Sequence, residues 1–140
     1  MSRRSDLTAS QARATQAYIT QLRDLMGLHH WEVYLAADAA PKDANASIHP
    51  VDGRYVAPLF VSRHWWKRSA DDKRNDIVHE LLHLTHRAQT DVVRTGVINP
   101  GVLPARSRLV VWALFSEETE RMVDHLAGVL APLMPEFPGP

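Results

Sequence analysis

Apolar residues recur at helical spacing in three stretches of the chain and alternate with polar ones in two others. Over 8–26, Tyr18, Ile19, Leu22, Leu25 and Met26 share one face, which predicts a first helix. Thr8 and Gln11 have the spacing of a capping box, and Gly27 supplies a C-terminal stop. Residues 31–36 alternate, with Trp31, Val33 and Leu35 on one side, and predict a strand. A polar connection over 37–44 leads to a predicted hairpin over 45–62, turning at Asp52-Gly53. Pro50 and Pro58 each remove a backbone donor, so that hairpin is expected at an edge or a bulge. A second helix is predicted from Ser69 to about Ala88, with Ser69 and Asp72 as its capping box. Gly96, Asn99-Pro100-Gly101 and Pro104 then mark 89–105 as a long, breaker-rich connection of the kind that forms lids. A last helix is predicted over about 106–130, with Leu109, Trp112, Val123, Leu126 and Leu130 as its core face. Together these elements predict an α+β fold in one domain, 1–140, with a mostly antiparallel sheet of at least three strands. Residues 1–6 and 135–140 are expected to be flexible tails.

Composition narrows the chemistry. The 140 residues suffice for a core without covalent staples, and none is cysteine. A disulfide scaffold and a Cys-ligated zinc finger are thereby excluded, which leaves His, Asp and Glu as metal ligands. Sixteen basic and sixteen acidic side chains balance, so net charge gives no reason to expect a nucleic acid or an anionic membrane as the main partner. The one local exception is Arg63-His64-Trp65-Trp66-Lys67-Arg68, a basic and aromatic patch of the type that stacks bases. Two tryptophans packed over a sheet edge are the more ordinary explanation of it. The opening Met-Ser-Arg-Arg-Ser-Asp is followed by no long apolar segment, which gives the expectation of a cytoplasmic protein. Spacing says nothing about oligomeric state.

The second helix carries the chemistry. It contains His79-Glu80-Leu81-Leu82-His83, flanked by Ile77, Val78 and Leu84. Two histidines four residues apart project from one helical face, so their ring nitrogens can converge on a single Zn²⁺. Glu80 is placed to act as general base toward a zinc-activated water. Burying two imidazoles and a carboxylate without partners would cost several kcal/mol, and a metal removes most of that cost. His86 lies one turn beyond His83. The rise from His79 to His86 is about 10 Å, too far for both to bind one ion, so His86 is expected to face substrate or to support the ligands.

A third ligand is expected from the last helix, where Val110, Ala113, Glu117, Glu120, Asp124, Ala127 and Ala131 form one face. Three carboxylates among small apolar residues are what a helix shows when it presents an acid to a metal held next door. Glu120 is the leading candidate, with Asp124, one turn on, accepting the remote N–H of a ligating histidine. Glu117 is the rival ligand on the same stripe. The bland alternative is a solvated acidic stripe paired with Arg121.

His79-Glu80-Leu81-Leu82-His83 followed by Glu120-Arg121-Met122-Val123-Asp124-His125-Leu126-Ala127 resembles the gluzincin metallopeptidases, in particular the ImmA/IrrE-like domains and their compact phage-encoded relatives. The resemblance covers about residues 31–134. It implies a zincin-like fold, a small sheet under two active-site helices, with His79, His83 and Glu120 on Zn²⁺ and Asp124 behind them. It also implies a peptide or protein substrate hydrolysed with Glu80 as general base. No tyrosine or histidine stands at the position expected for stabilising the oxyanion; Tyr55, His86 and His125 are the candidates. A catalytically inactive binding or regulatory module is the alternative reading. SprT-like proteases, which act on DNA-bound proteins, are similar in layout but use a third histidine.

Overall fold

A computed structural model describes residues 4–138 of the chain. It has an α+β fold of four α-helices and a three-stranded mixed sheet. Helix α1 (Ala9–Leu25) begins as its sequence dictates: Thr8 Oγ1 accepts the Gln11 N–H at 3.1 Å, and the Gln11 side chain accepts the Thr8 N–H at 3.0 Å. Beyond its end, Gly27 takes φ +74°, a backbone state that favours glycine.

Strand β1 (Glu32–Ala39) buries Val33 and half-buries Leu35 beside buried Trp31, and it runs into the stretch expected to be a polar connection. Strands β2 (Ala46–Ile48) and β3 (Val56–Val61) form the expected antiparallel hairpin, with Ala46 opposite Val61 and Ile48 opposite Leu59. Its tip turns at Asp52-Gly53, where the Arg54 N–H reaches the Val51 carbonyl at 3.2 Å and Gly53 has φ +70°.

The sheet is not mostly antiparallel. Its order is β1-β3-β2, and β1 pairs with β3 in parallel, Val33 beside Ala57 and Leu35 beside Leu59. Alternation marks which side chains face inward but carries no information on which strand lies alongside. Pro58 consequently sits in the central strand rather than at an edge. It is tolerated because the N–H it lacks points toward the end of β2. There its carbonyl still accepts the His49 N–H at 3.1 Å.

The buried side of the sheet, Val33, Ala57, Leu59 and Val61, is covered by Tyr18, Ile19 and Leu22 of α1 and by Ile77, Val78 and Leu81 of α2 (Ala70–Thr85). Ser69 Oγ caps α2 by accepting the Asp72 N–H at 3.0 Å. The return bond of a capping box does not form, since an aspartate is one methylene shorter than the glutamate that usually makes it. The motif helix ends at Thr85, short of Ala88. His86 marks the junction to α3 (Arg87–Val93), which widens into a single π-helical stretch, Arg94–Ile98. The region expected to be a lid is thus mostly helical. Asp91 holds it together by pairing with Arg87 at 3.0 Å and Arg94 at 2.7 Å.

Helix α4 (Ala105–Leu130) packs on α2 through Val123 and Ala127, with Leu126 and Leu130 partly buried. Leu109, expected on its core face, is 74% exposed, since the fully buried positions of α4, Val123 and Ala127, all lie in its C-terminal half.

Both described tail segments are packed rather than loose. The Ser5 N–H donates to the Ala37 carbonyl at 2.9 Å, and Asp6 pairs with Arg63 at 3.0 Å. Phe137 is buried against Tyr18, whose hydroxyl donates to the Pro135 carbonyl at 2.9 Å. Lys73 is buried with its ammonium 4.5 Å from the Phe137 ring and 4.7 Å from that of Trp66. The remaining tail residues, 1–3 and 139–140, lie outside the described ones.

Candidate metal centre

His79 and His83 stand one turn apart on α2, ring centroids 5.1 Å from each other, on the side of the helix that faces α4. Glu120 reaches across from α4. Its two carboxylate oxygens lie 3.3 Å from His79 Nε2 and 3.0 Å from His83 Nε2. One ligand atom from each of the three residues lies within 4.8 Å of the other two. Asp124, a turn further along α4, accepts from His79 Nδ1 at 2.9 Å. Of the residues singled out from sequence, the two histidines and Glu120 converge on one point, with Asp124 behind His79.

Whether a metal fits can be judged from the donors. With its Nδ1 proton given to Asp124, a neutral His79 turns a lone pair at Nε2 toward the carboxylate. Lone pairs facing lone pairs at this range repel unless a cation lies among them. Ligands around a tetrahedral Zn²⁺ are separated by about 3.3 Å, close to the spacings seen here. Burial, the largest influence on His83, lowers its pKa despite the opposing charge of Glu120, and so favours the neutral, ligating form of the ring. The residues therefore fit a divalent cation such as Zn²⁺.

Glu117 is not part of this group. It points outward and binds the guanidinium of Arg121 at 2.7 Å, as Glu118 does at 2.8 Å. The solvated acidic stripe therefore exists, but it occupies the neighbouring turn.

Glu80 has 12% of its side chain exposed and lines a cleft of about 380 Å³ together with His79, His83 and Glu120. Burial first, then the charge of Glu120, pushes its pKa up to about 8, with Asp76 adding to the rise and the Ile48 N–H opposing it. A cation at the histidines would bring it back down. The opposite wall is β2, with Ala46, Ser47, Ile48 and Pro50. Residues 45, 47 and 49 direct their backbone groups to β3, so those of Ala46 and Ile48 point toward the cleft. The sheet's other edge is covered: Gln16 bonds the Val33 carbonyl at 3.0 Å and the Leu35 N–H at 2.7 Å, and Ser5 bonds Ala37.

Tyr55, His86 and His125 do not line the cleft. Tyr55 packs on Trp31 and His30, ring centroids 5.1 and 5.3 Å away, beside a separate cavity of about 510 Å³. His86 caps α2 with a buried, unpartnered Nε2, and His125 is exposed. Two cleft residues that sequence reasoning missed are Arg87 and Thr90. The signal for Arg87 was available, because 79, 83, 87 and 91 continue one helical row. Its guanidinium is tied to Asp52 at 2.7 Å and to Asp91.

Part of the basic aromatic patch is engaged within the chain, while His64 and Lys67 are exposed. Trp65 is buried, Arg63 pairs with Asp6, and Arg68 pairs with Asp76 at 2.7 Å. No helix among the described residues is long and apolar enough to cross a membrane. No protein-family profile matches the chain, and neither a curated protein nor a solved structure matches it significantly.

Proposed function

We propose that this chain is a zinc-dependent metallopeptidase of zincin-like fold and gluzincin ligand set. The observation that carries this reading is the convergence of His79 Nε2, His83 Nε2 and the Glu120 carboxylate from two helices, with Asp124 orienting one imidazole. His79, His83 and Glu120 would hold the ion, which when bound supplies Lewis acidity toward water and a scissile carbonyl. Glu80, adjacent to the ligands and facing the same cleft, takes the proton of the attacking water and passes it to the leaving amine. With the Ile48 N–H taken by Glu80, the outward backbone groups of Ala46 and the Ile48 carbonyl are left for an extended peptide to pair with, which would align it across the cleft.

Elemental analysis together with a peptide-library digest tests the proposal. Glu80→Gln is expected to keep one zinc per chain and lose cleavage. Glu120→Ala is expected to lose both, and Glu117→Ala to keep both. An active Glu80→Gln protein would remove the general-base role; metal-free wild type would remove the proposal.

One observation favours a second reading, a metal-held binding module without turnover. None of Tyr55, His86 and His125 lines the cleft, and the one cation there, Arg87, is already tied to two aspartates. That reading predicts stoichiometric zinc and no cleavage of any peptide.

A further inference from the structure

The N-terminal half of α4 carries an apolar stripe that the other described residues leave largely exposed. Helix α4 is 26 residues long against 16 for α2, and its buried positions, Val123 and Ala127, lie in its far half. In the near half Trp112 and Phe115 stack 5.8 Å apart and are half-buried. On another side Leu109, Val110 and Leu114 are 74%, 54% and 58% exposed, with Ala113 exposed between them. Single exposed apolar residues are ordinary, but four within two turns on one stripe mark an interface.

Charge at the two ends of the stripe indicates what covers it. Helical spacing puts exposed Arg106 at one end of the stripe and, at the other, exposed Glu117, one of whose oxygens also pairs with Arg121. Lay a second α4 antiparallel on the first, about a two-fold axis between Val111 and Trp112. Leu109 of each copy then meets Leu114 of the other, Val110 meets Ala113, and Arg106 meets Glu117. A parallel arrangement would instead set arginine on arginine and glutamate on glutamate. Self-complementarity of this kind is what a two-fold interface between identical chains requires.

We propose that the N-terminal half of α4 docks a second copy of this chain, forming an antiparallel two-fold dimer. Glu117 lies one turn before Glu120, so the dimer brings the start of each α4 to the rim of the other copy's cleft. The dimer does not depend on the peptidase reading.

Sedimentation of the full chain over a concentration series tests this, with circular dichroism and thermal melting to verify folding. The wild type is expected to dimerise, and Leu114→Arg to run as a folded monomer. Arg106→Glu and Glu117→Arg are each expected to weaken self-association about tenfold, since each replaces two attractive rim pairs by two repulsive ones. An equimolar mixture of those two variants is expected to regain near wild-type affinity, because every facing pair in the heterodimer is again of opposite sign. Should Leu114→Arg misfold, this mixture alone decides the matter. A monomeric wild type overturns the proposal, including one that binds vesicles or unfolded polypeptide instead. So does a dimer indifferent to Leu114→Arg, or a mixture that restores nothing.

Discussion

Glu120 and Asp124 both contact His79, yet in different ways, and the difference sets what each should do when removed. Glu120 meets the Nε2 atoms of both histidines, whereas Asp124 takes the far nitrogen of His79 alone. On the zinc reading proposed above, loss of Glu120 removes a ligand, whereas loss of Asp124 leaves all three but frees the tautomer and the ring angle of one. Asp124→Ala should therefore weaken zinc binding by about 10–100-fold without abolishing it, as measured by competition with a chromophoric chelator. Unchanged affinity would remove the orienting role. At this scale the two histidines and Glu80 were readable because a helix leaves side chains at i and i+4 no choice but to share a face. Sequence ranked Glu120 ahead of Glu117 through its spacing to Asp124, but left Glu117 open as a rival. The two acids share a stripe, and only the axial position of α4 against α2 selects between them.

The helices were readable to within a few residues wherever a cap or a breaker bounded them, as Thr8 and Gly27 do for α1 and Ser69 does for α2. Capping energies follow from that geometry. Ser69→Ala should lower stability by about 1 kcal/mol in urea denaturation with an unchanged m-value, because the Asp72 N–H loses its acceptor at the positive end of the motif helix. No change would mean that water replaces the hydroxyl at no cost. Breakers misled at Gly96, which suggested a loop; the backbone stays helical through it, and the Asn99 N–H reaches the Arg94 carbonyl across it at 2.8 Å. Among the strands, alternation placed Val33 and Leu35 correctly inward and was silent on the parallel pairing with β3.

The molecule as a whole is closed by its C-terminal segment, which crosses back to α1 and the start of α2. Arg74 donates to the Met134 carbonyl at 3.0 Å, Tyr18 donates to Pro135, and Phe137 fills the gap between Tyr18, Trp65 and Trp66. Deleting residues 135–140 should cost about 3–5 kcal/mol, the range for removing a buried phenylalanine, read as a fall in the urea midpoint. A change within error would show that this segment contributes nothing to the core. The same contact predicts a pH dependence. Burial first, opposed by the charge of Arg74, pushes the Tyr18 pKa up to about 12, while an unfolded tyrosine titrates near 10. Between those values the unfolded chain has released a proton that the folded chain keeps. The stability due to Tyr18 is therefore fully present below that window and is lost as pH rises through it. Stability measured against pH should fall more steeply there in the wild type than in Tyr18→Phe; parallel curves would mean that the hydroxyl is solvated.

Sequence by itself determined the caps, the helical faces and the pairing of two imidazoles with a neighbouring carboxylate, because each depends only on residues within a turn or two of one another. Tertiary structure decided the rest: the partner of β1, the burial of Phe137, the exposure of Leu109, and the acid that meets the histidines. Those outcomes depend on distances between segments far apart in the chain, and periodicity does not encode them. Val123 and Ala127 against α2 set how far α4 slides along its neighbour. That offset brings Glu120, and not Glu117, to His79 and His83.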